Sequence, residues 1–334
     1  MRQMCGDCAG AAVRFGGPDF LSECPPATHH LEDLSLMPKT IAAAATALTV
    51  LATGLAVAGV VGPARPAKAA LSDVPADCSA FTAAYRSDGQ RLSYGYSGGE
   101  TSTKAYTDDV LGWVPSAHQQ LGAAGDDTIF RSTEYAVHPT DGWLYLVRRQ
   151  GELVDGEWRV TAKSATRLKS GFADTRILAT ASPYLYRVAG TSLYRYTETY
   201  VDGEFTLSAP VKLASTGWNT VNTLVYERSG GTGNAAVDVL IGTKTNGQLK
   251  EWRVNRATPK TITSKVLRSV GWAPFTSLST GYCAEHPNGR PLLGIKANGS
   301  VSVHFDANKT DSDGTDIKGG PIGSLGWTEK AYGQ

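Results

Sequence analysis

A Gly-Trp pair returns along this chain, and the spacing of its returns limits what the chain can fold into. It stands at Gly112-Trp113, Gly217-Trp218, Gly271-Trp272 and Gly326-Trp327, with Gly171-Phe172 as a variant; Gly142-Trp143, inside the strand context HPTDGWLYLV, is set aside. From glycine to glycine the intervals are 59, 46, 54 and 55 residues. The lead-ins agree: ATRLKSGF, PVKLASTGW, SKVLRSVGW and GGPIGSLGW each place an apolar residue four or five positions before the aromatic. Ser215, Ser269 and Ser324 all stand two before the glycine. Self-similarity at such a period marks a repeat architecture, in which each unit buries its faces against its neighbours.

Each repeat has a similar interior. A short segment of mixed polarity follows Gly-Trp, then a hairpin such as DVLIGTKTNGQLKEWRV or PLLGIKANGSVSVHF, then a fourth strand into the next Gly-Trp. Asn246-Gly247 and Asn298-Gly299 predict type I′ turns, which need positive φ at both central residues. No segment after Ala70 shows the 3.6-residue period of an amphipathic helix. Four short antiparallel strands repeated about every 50 residues predict an all-β fold, a five-bladed β-propeller. Four blades start near residues 113, 172, 218 and 272. The fifth is expected in two pieces, residues 327–334 plus 78–110. The C-terminal piece carries the Gly-Trp head, and the N-terminal piece carries the Asp88-Gly89 hairpin. The C-terminal strand then closes the ring.

The N-terminal part reads differently. Residues 41–62, IAAAATALTVLATGLAVAGVVG, carry no charge, and Ala67 and Ala69 supply the small side chains of a signal-peptidase site. Residues 37–69 are therefore expected to be a secretory signal peptide, with a retained membrane anchor as the alternative. A signal starts near an N-terminus, so translation is expected to begin at Met37. Residues 1–36 are then a disordered, mis-annotated upstream segment, which precursor peptides from that stretch would refute. Cys5, Cys8 and Cys24 fall inside it. The mature chain, 70–334, keeps Cys78 and Cys283, and two cysteines in an exported protein predict one disulfide. Lys and Arg number 32 against 31 Asp and Glu, which gives no charge excess to hold nucleic acid or an anionic membrane.

Chemistry-bearing motifs are sparse. His118, His138, His286 and His304 lack metal-ligand spacing, so no metal and no cofactor are expected. Gly95-Tyr96-Ser97-Gly98-Gly99 matches G-x-S-x-G, but its context is a turn between strands rather than strand-turn-helix. The loop DANKTDSDGTD gathers Asp306, Asp311, Asp313 and Asp316 without the spacing of an EF-hand, and reads as a solvated loop. Carboxylates are scattered over loops, and no acid/base pair marks a catalytic residue. What remains is repeated aromatic residues near polar ones, as sugar recognition needs: a pyranose face stacks on a ring while its hydroxyls find partners. The Gly-Trp aromatics also have a structural reading, as a large anchor at each blade edge with Gly allowing tight approach.

STGWNTVNTLVYE with VLIGTKTNGQLKEW, SVGWAPFTSLSTGY with HPNGRPLLGIKANGSVSV, and HPTDGWLYLV resemble the tachylectin-like five-bladed propeller lectins. The resemblance covers about residues 78–334. It implies binding of N-acetylated amino sugars between adjacent blades, where an outer-strand loop meets the linker into the next blade. The family's Asp-Asn-Trp element is matched by Asp155-Gly156-Glu157-Trp158 and Asp202-Gly203-Glu204-Phe205, with Asn missing and the aromatic displaced by one. Asp155 with Trp158, and Asp202 and Glu204 with Phe205, are the first candidates. Trp113, Trp218, Trp272 and Trp327 are second, as site walls. The expected function is a secreted, monomeric, non-enzymatic binder of glycans or cell-surface sugars. A propeller glycosidase or lyase and a cell-envelope protein scaffold are the alternatives.

Overall fold

Turns cut the chain into strands. The computed structural model describes residues 71–202 and 204–334, and the expectations for residues 1–36 and for the leader 37–69 lie outside them. The first strands are β1 (Cys78–Tyr85), β2 (Arg91–Ser97) and β3 (Glu100–Lys104). Next come β4 (His118–Gly125), β5 (Ile129–Val137), β6 (Leu144–Val154) and β7 (Glu157–Lys169). A third group holds β8 (Thr175–Ala181), β9 (Tyr184–Ala189), β10 (Ser192–Val201), β11 (Glu204–Leu207) and β12 (Val211–Ala214). A fourth holds β13 (Val225–Gly230), β14 (Val237–Thr243), β15 (Leu249–Asn255) and β16 (Ile262–Arg268). The last are β17 (Phe275–Cys283), β18 (Arg290–Lys296), β19 (Ser300–Asp306), β20 (Lys318–Ser324) and the two-residue β21 (Lys330–Ala331). The described residues contain no α-helix, only two single 3₁₀ turns.

β4–β7 and β13–β16 are antiparallel meanders in chain order. In the β8–β12 sheet the outermost strand is split, because β11 and β12 both pair with β10. The break falls at Ser208-Ala209-Pro210, where proline has no N–H to give a ladder. Ser208 bridges the gap by accepting the Thr197 N–H on its Oγ at 2.8 Å. The fourth sheet has eight strands in the order β20-β19-β18-β17-β1-β2-β3, with β21 also on β1. One edge of β1 is shared. Its start pairs with β17, Cys78 opposite Cys283, and its end pairs with β21, Ala84 opposite Ala331. The Cys78–Cys283 disulfide stands where β1 meets β17.

The C-terminal tail continues between those partners. Tyr332 N–H bonds to Ala83 O, and Thr280 N–H to Gln334 O. Gly333 fits there because a Cβ would stand 2.2 Å from Leu278 O. Lys330 Nζ and Tyr332 OH both donate to Pro115 O, at 2.9 and 2.7 Å, which ties the tail to the approach into β4. β4 lies beside β8, β8 beside β13, β13 beside β17 and β17 beside β1, and Tyr85 on β1 meets His118 on β4, so the sequence of neighbours closes on itself. The buried residues follow these seams. One cluster joins Phe172 and Leu146 to Leu178 and Leu185, a second joins Val188 to Leu240 and Trp252, and a third joins Ile241 and Leu249 to Leu278 and Leu292. Burying a Leu or Val side chain contributes about 1.5–3 kcal/mol, so the seams hold the molecule together.

Two details of the expected turns are corrected. Asn246 and Asn298 do not adopt positive φ, so these are not type I′ turns. Gly247 N–H bonds to Lys244 O while Lys244 N–H bonds to Gln248 O, a type I turn closed by one left-handed glycine at φ 90°. The two-residue geometry with positive φ throughout occurs instead at Asp155-Gly156, with φ 54° and 82°. The glycines of the Gly-Trp pairs also do not serve close approach. A Cβ at Gly112, Gly171, Gly217, Gly271 or Gly326 would meet nothing within 4 Å. Each has φ between 70° and 96°, a left-handed turn that a β-carbon disfavours.

Candidate functional site

That turn aims the aromatic that follows. Trp218, Trp272 and Trp327 are only 4–5% exposed, and Phe172 is fully buried. Trp218 meets Trp252 with ring centres 5.3 Å apart, and Trp272 meets Phe275 at 5.3 Å and His304 at 4.8 Å. Trp327 stacks on Tyr94 at 4.5 Å and 2°, and its Nε1–H donates to Thr103 Oγ1 at 2.8 Å. These rings anchor seams and present no open face. Trp113 is half-buried against His138 and Tyr145.

A sealed polar knot fills the seam between β1–β2 and the β4–β7 sheet. Glu134, on β5, has no exposed side-chain surface. Its Oε1 faces Arg91 Nε at 2.8 Å, and its Oε2 receives His118 Nε2 at 2.9 Å, Arg149 Nη1 and the Tyr85 hydroxyl. Arg149 also pairs with Asp109 at 2.5 Å. Burial pushes the Glu134 carboxyl up, but Arg91, Arg149 and His118 together hold it well below the usual range. Burial pushes the His118 imidazole down, against the pull of Glu134. The arrangement carries an acid, a base and cations, yet Glu134, His118 and Arg149 are shut from solvent and paired with one another, so it serves as a lock. Tyr85, Tyr135 and Tyr186 repeat this device at intervals of 50 and 51 residues. Tyr186 donates to Asp238 at 2.6 Å across the next-but-one seam. Burial, with the Glu198 carboxylate adding to it, raises the Tyr135 phenol.

Aromatic rings reach solvent at the outer ends of the same seams. Trp158 lies half-buried on β7, with ring centres 5.4 Å from Phe130 and 6.3 Å from Tyr106. Tyr106 belongs to the linker after β3, which joins the neighbouring sheet directly: Thr107 N–H bonds to Trp158 O, and Val160 N–H to Thr107 O. Gly151 lets Phe130 lie flat on β6, since a Cβ there would stand 2.1 Å from the ring. Asp155 caps the β6–β7 hairpin, exposed. One seam on, Phe205 touches Tyr200 at 4.8 Å, with the Arg148 guanidinium of β6 5.8 Å over its ring. Asp202 and Glu204 are exposed at that hairpin. Trp158 and Phe205 therefore occupy corresponding hairpins on separate seams. Tyr106 and Phe130 were not singled out in the sequence, although an aromatic in the linker was visible there.

An open cleft occupies a third seam, between the β13–β16 sheet and the loop after β19. It has two lobes of about 310 and 530 Å³ that share Arg253, Thr263 and Thr310. The loop is DANKTDSDGTD, and its own side chains order it. Asn308 Oδ1 accepts from Thr310, Asp311 Oδ1 from Asp313 N–H at 2.8 Å, and Asp313 Oδ1 from Thr315 N–H at 2.9 Å. Asp306 is buried and paired with Arg290 at 2.7 Å. These carboxylates are occupied by the chain itself. Gly314 lets the loop cross β16, because a Cβ would meet Leu267 O at 2.3 Å. Ser312 Oγ donates to Glu251 Oε1 at 2.8 Å, and Arg253 Nε donates to the same oxygen at 2.8 Å. The one close grouping of metal-ligating types among the described residues is Asp77 with Cys78 and Cys283, whose sulfurs are spent in the disulfide. Ser97 of the G-x-S-x-G match ends β2 at a Gly98-Gly99 turn, as its context predicted.

No family model and no curated protein matches the chain. Solved structures with loosely similar folds include the BP39L lectin of Burkholderia pseudomallei, 11% identical over 72% of this chain and 79% of that one, with a TM-score of 0.37. The lectin of Aleuria aurantia, a six-bladed β-propeller, is 14% identical over 75% and 78%, with a TM-score of 0.37. The periplasmic gluconolactonase of Pseudomonas aeruginosa is 11% identical over 74% and 96%, with a TM-score of 0.31.

Proposed function

We propose that this chain is an exported, five-bladed β-propeller that binds glycans without altering them, akin to the tachylectin-like lectins. The blade count rests on the strand groups β4–β7, β8–β12, β13–β16 and β17–β20, with β21-β1-β2-β3 as the group made from both ends of the chain. Export rests on the apolar run 41–62 with its Ala67 and Ala69 site, and on a disulfide of the kind that persists in oxidising compartments.

The observation that carries the binding role is the Tyr106, Phe130 and Trp158 cluster, half-exposed on a seam beside the Asp155 hairpin. It offers a ring face for a pyranose and a carboxylate for its hydroxyls, and N-acetylated amino sugars are the first ligands to test. Phe205, Tyr200, Asp202 and Glu204 supply a second such site. Weak sites on one rigid ring gain avidity on a multivalent surface without any new contact. The test is a glycan array probed with the purified full chain and with Trp158→Ala. Binding to a defined glycan class that weakens in the variant is the expected outcome. An empty array at high protein density would sink the proposal.

A further inference from the structure

The cleft beside β15 has chemistry of a different kind. Glu251 lines it with a side chain that is 1% exposed. Its Oε1 is satisfied by Arg253 and Ser312, but its Oε2 is buried with no hydrogen bond, and Arg228 Nη1 stands 3.5 Å away. A buried acceptor left without a donor costs about 1–3 kcal/mol, more when charged, and an incoming O–H can recover that. Thr263, Ser264, Thr310 and Ser312 also line the cleft, with the Thr310 hydroxyl turned onto Asn308 and that of Ser312 onto Glu251 Oε1. The charged side chains lining the two lobes are Arg228, Arg253 and Lys265 against Glu251 and Asp311; Arg228 is paired with Glu227 behind the cleft, which leaves Arg253 and Lys265 as the cations facing a ligand. Asp311 is turned onto its own loop. No aromatic side chain lines either lobe, so a neutral pyranose has no ring to stack on. The volumes lie in the range of small-molecule sites.

We propose that this cleft binds a carboxylated sugar, a hexuronate unit, with a ligand hydroxyl donating to Glu251 Oε2 and the ligand carboxylate held by Arg253 and Lys265. Charge-assisted hydrogen bonds to a carboxylate are the stronger class, and a planar guanidinium suits them. The hydroxyl bond to a buried acceptor separates a sugar acid from a bare anion. The site is independent of the aromatic seams.

Calorimetric titration of the full chain with sodium glucuronate, galacturonate, glucose and inorganic sulfate tests the assignment. The expected result is saturable binding of a uronate, with glucose and sulfate each weaker by about tenfold or more. Lys265→Ala, at an exposed position that leaves the fold intact, lowers uronate affinity about tenfold, and Ser312→Ala lowers it less. Trp158→Ala leaves it unchanged. No saturable binding of either uronate, equal binding of sulfate, or equal affinity in Lys265→Ala would overturn the proposal. Loss of uronate binding in Trp158→Ala would move the ligand to the aromatic seam and overturn it equally. A blank glycan array with intact uronate binding would reject the aromatic sites alone.

Discussion

At the seam between β1–β2 and the β4–β7 sheet, Arg91, Arg149 and Glu134 interlock, and His118, Tyr85 and Asp109 complete the set. At the seam between the β13–β16 sheet and the loop after β19, Arg228, Arg253 and Glu251 meet in much the same way, yet a cleft remains. The two differ in what fills the remaining space. The first receives the C-terminal tail, whose Tyr332 ring packs on Tyr85 and His118 with centres 6.0 and 5.2 Å away. The second receives an Asx-rich loop that spends its side chains on its own backbone and reaches over with Ser312 alone. In the first seam a guanidinium closes on the second carboxylate oxygen at 2.8 Å and the charges lock two sheets, whereas in the second the facing guanidinium stands off at 3.5 Å and a cleft remains.

The largest expected effect comes from removing the filler. Deletion of residues 326–334 takes away the Trp327–Tyr94 stack and every tail hydrogen bond, and should cost at least about 5 kcal/mol in urea unfolding of the whole domain. Fraying with an unchanged midpoint would break the account of closure. Next, Glu134→Ala leaves Arg91 and Arg149 buried without their shared partner and should cost about 3–5 kcal/mol. Glu251→Ala should cost less, because Arg253 is 38% exposed and can turn to solvent. Equal losses at the two sites would erase the distinction between the seams.

Acid should sharpen it further. Burial first, then Arg268 and Lys296, lower the His304 imidazole to about 4 from its ordinary 6.5. The folded state holds it neutral while the unfolded chain takes up a proton below pH 6.5. The stability it contributes is therefore whole above pH 6.5 and lost as pH falls toward 4, about 3 kcal/mol in all. Glu134, with its carboxyl held low, adds a loss of the same sign below its ordinary 4.5. Unfolding curves of the parent and of His304→Gln should diverge in pH dependence between 6.5 and 4, and parallel curves would refute the assignment. The smallest effect on stability belongs to Trp158→Ala, about 1 kcal/mol for a half-exposed ring, against about 3–5 kcal/mol for buried Trp218→Ala.

The repeat, the all-β class and the disulfide were legible because each is written locally or by count. Gly-Trp marks a left-handed turn, hairpin glycines mark others, and the two cysteines beyond residue 70 leave one pairing. The turn type was misjudged because Asn-Gly is compatible with both a two-residue turn and a type I turn with a left-handed glycine. Flanking residues decide, as at Lys244 and Gln248. The burial of Trp218, Trp272 and Trp327 was foreseen in their reading as anchors, but not in their reading as site walls. Composition cannot tell a ring that fills a seam from one that borders it. The cleft was not legible at all. Ser312 stands 61 residues from Glu251 and meets it only because Gly314 lets a loop cross β16.

The seven tryptophans allow one direct measurement. In a two-dimensional ¹⁵N–¹H spectrum each indole N–H gives its own signal, assigned by substitution. On titration with N-acetylglucosamine oligomers, the Trp158 signal should shift with saturation while those of Trp218, Trp272 and Trp327 stay in place. Saturable shifts at the buried three with Trp158 unmoved would contradict the division between rings that hold the seams and rings that border them.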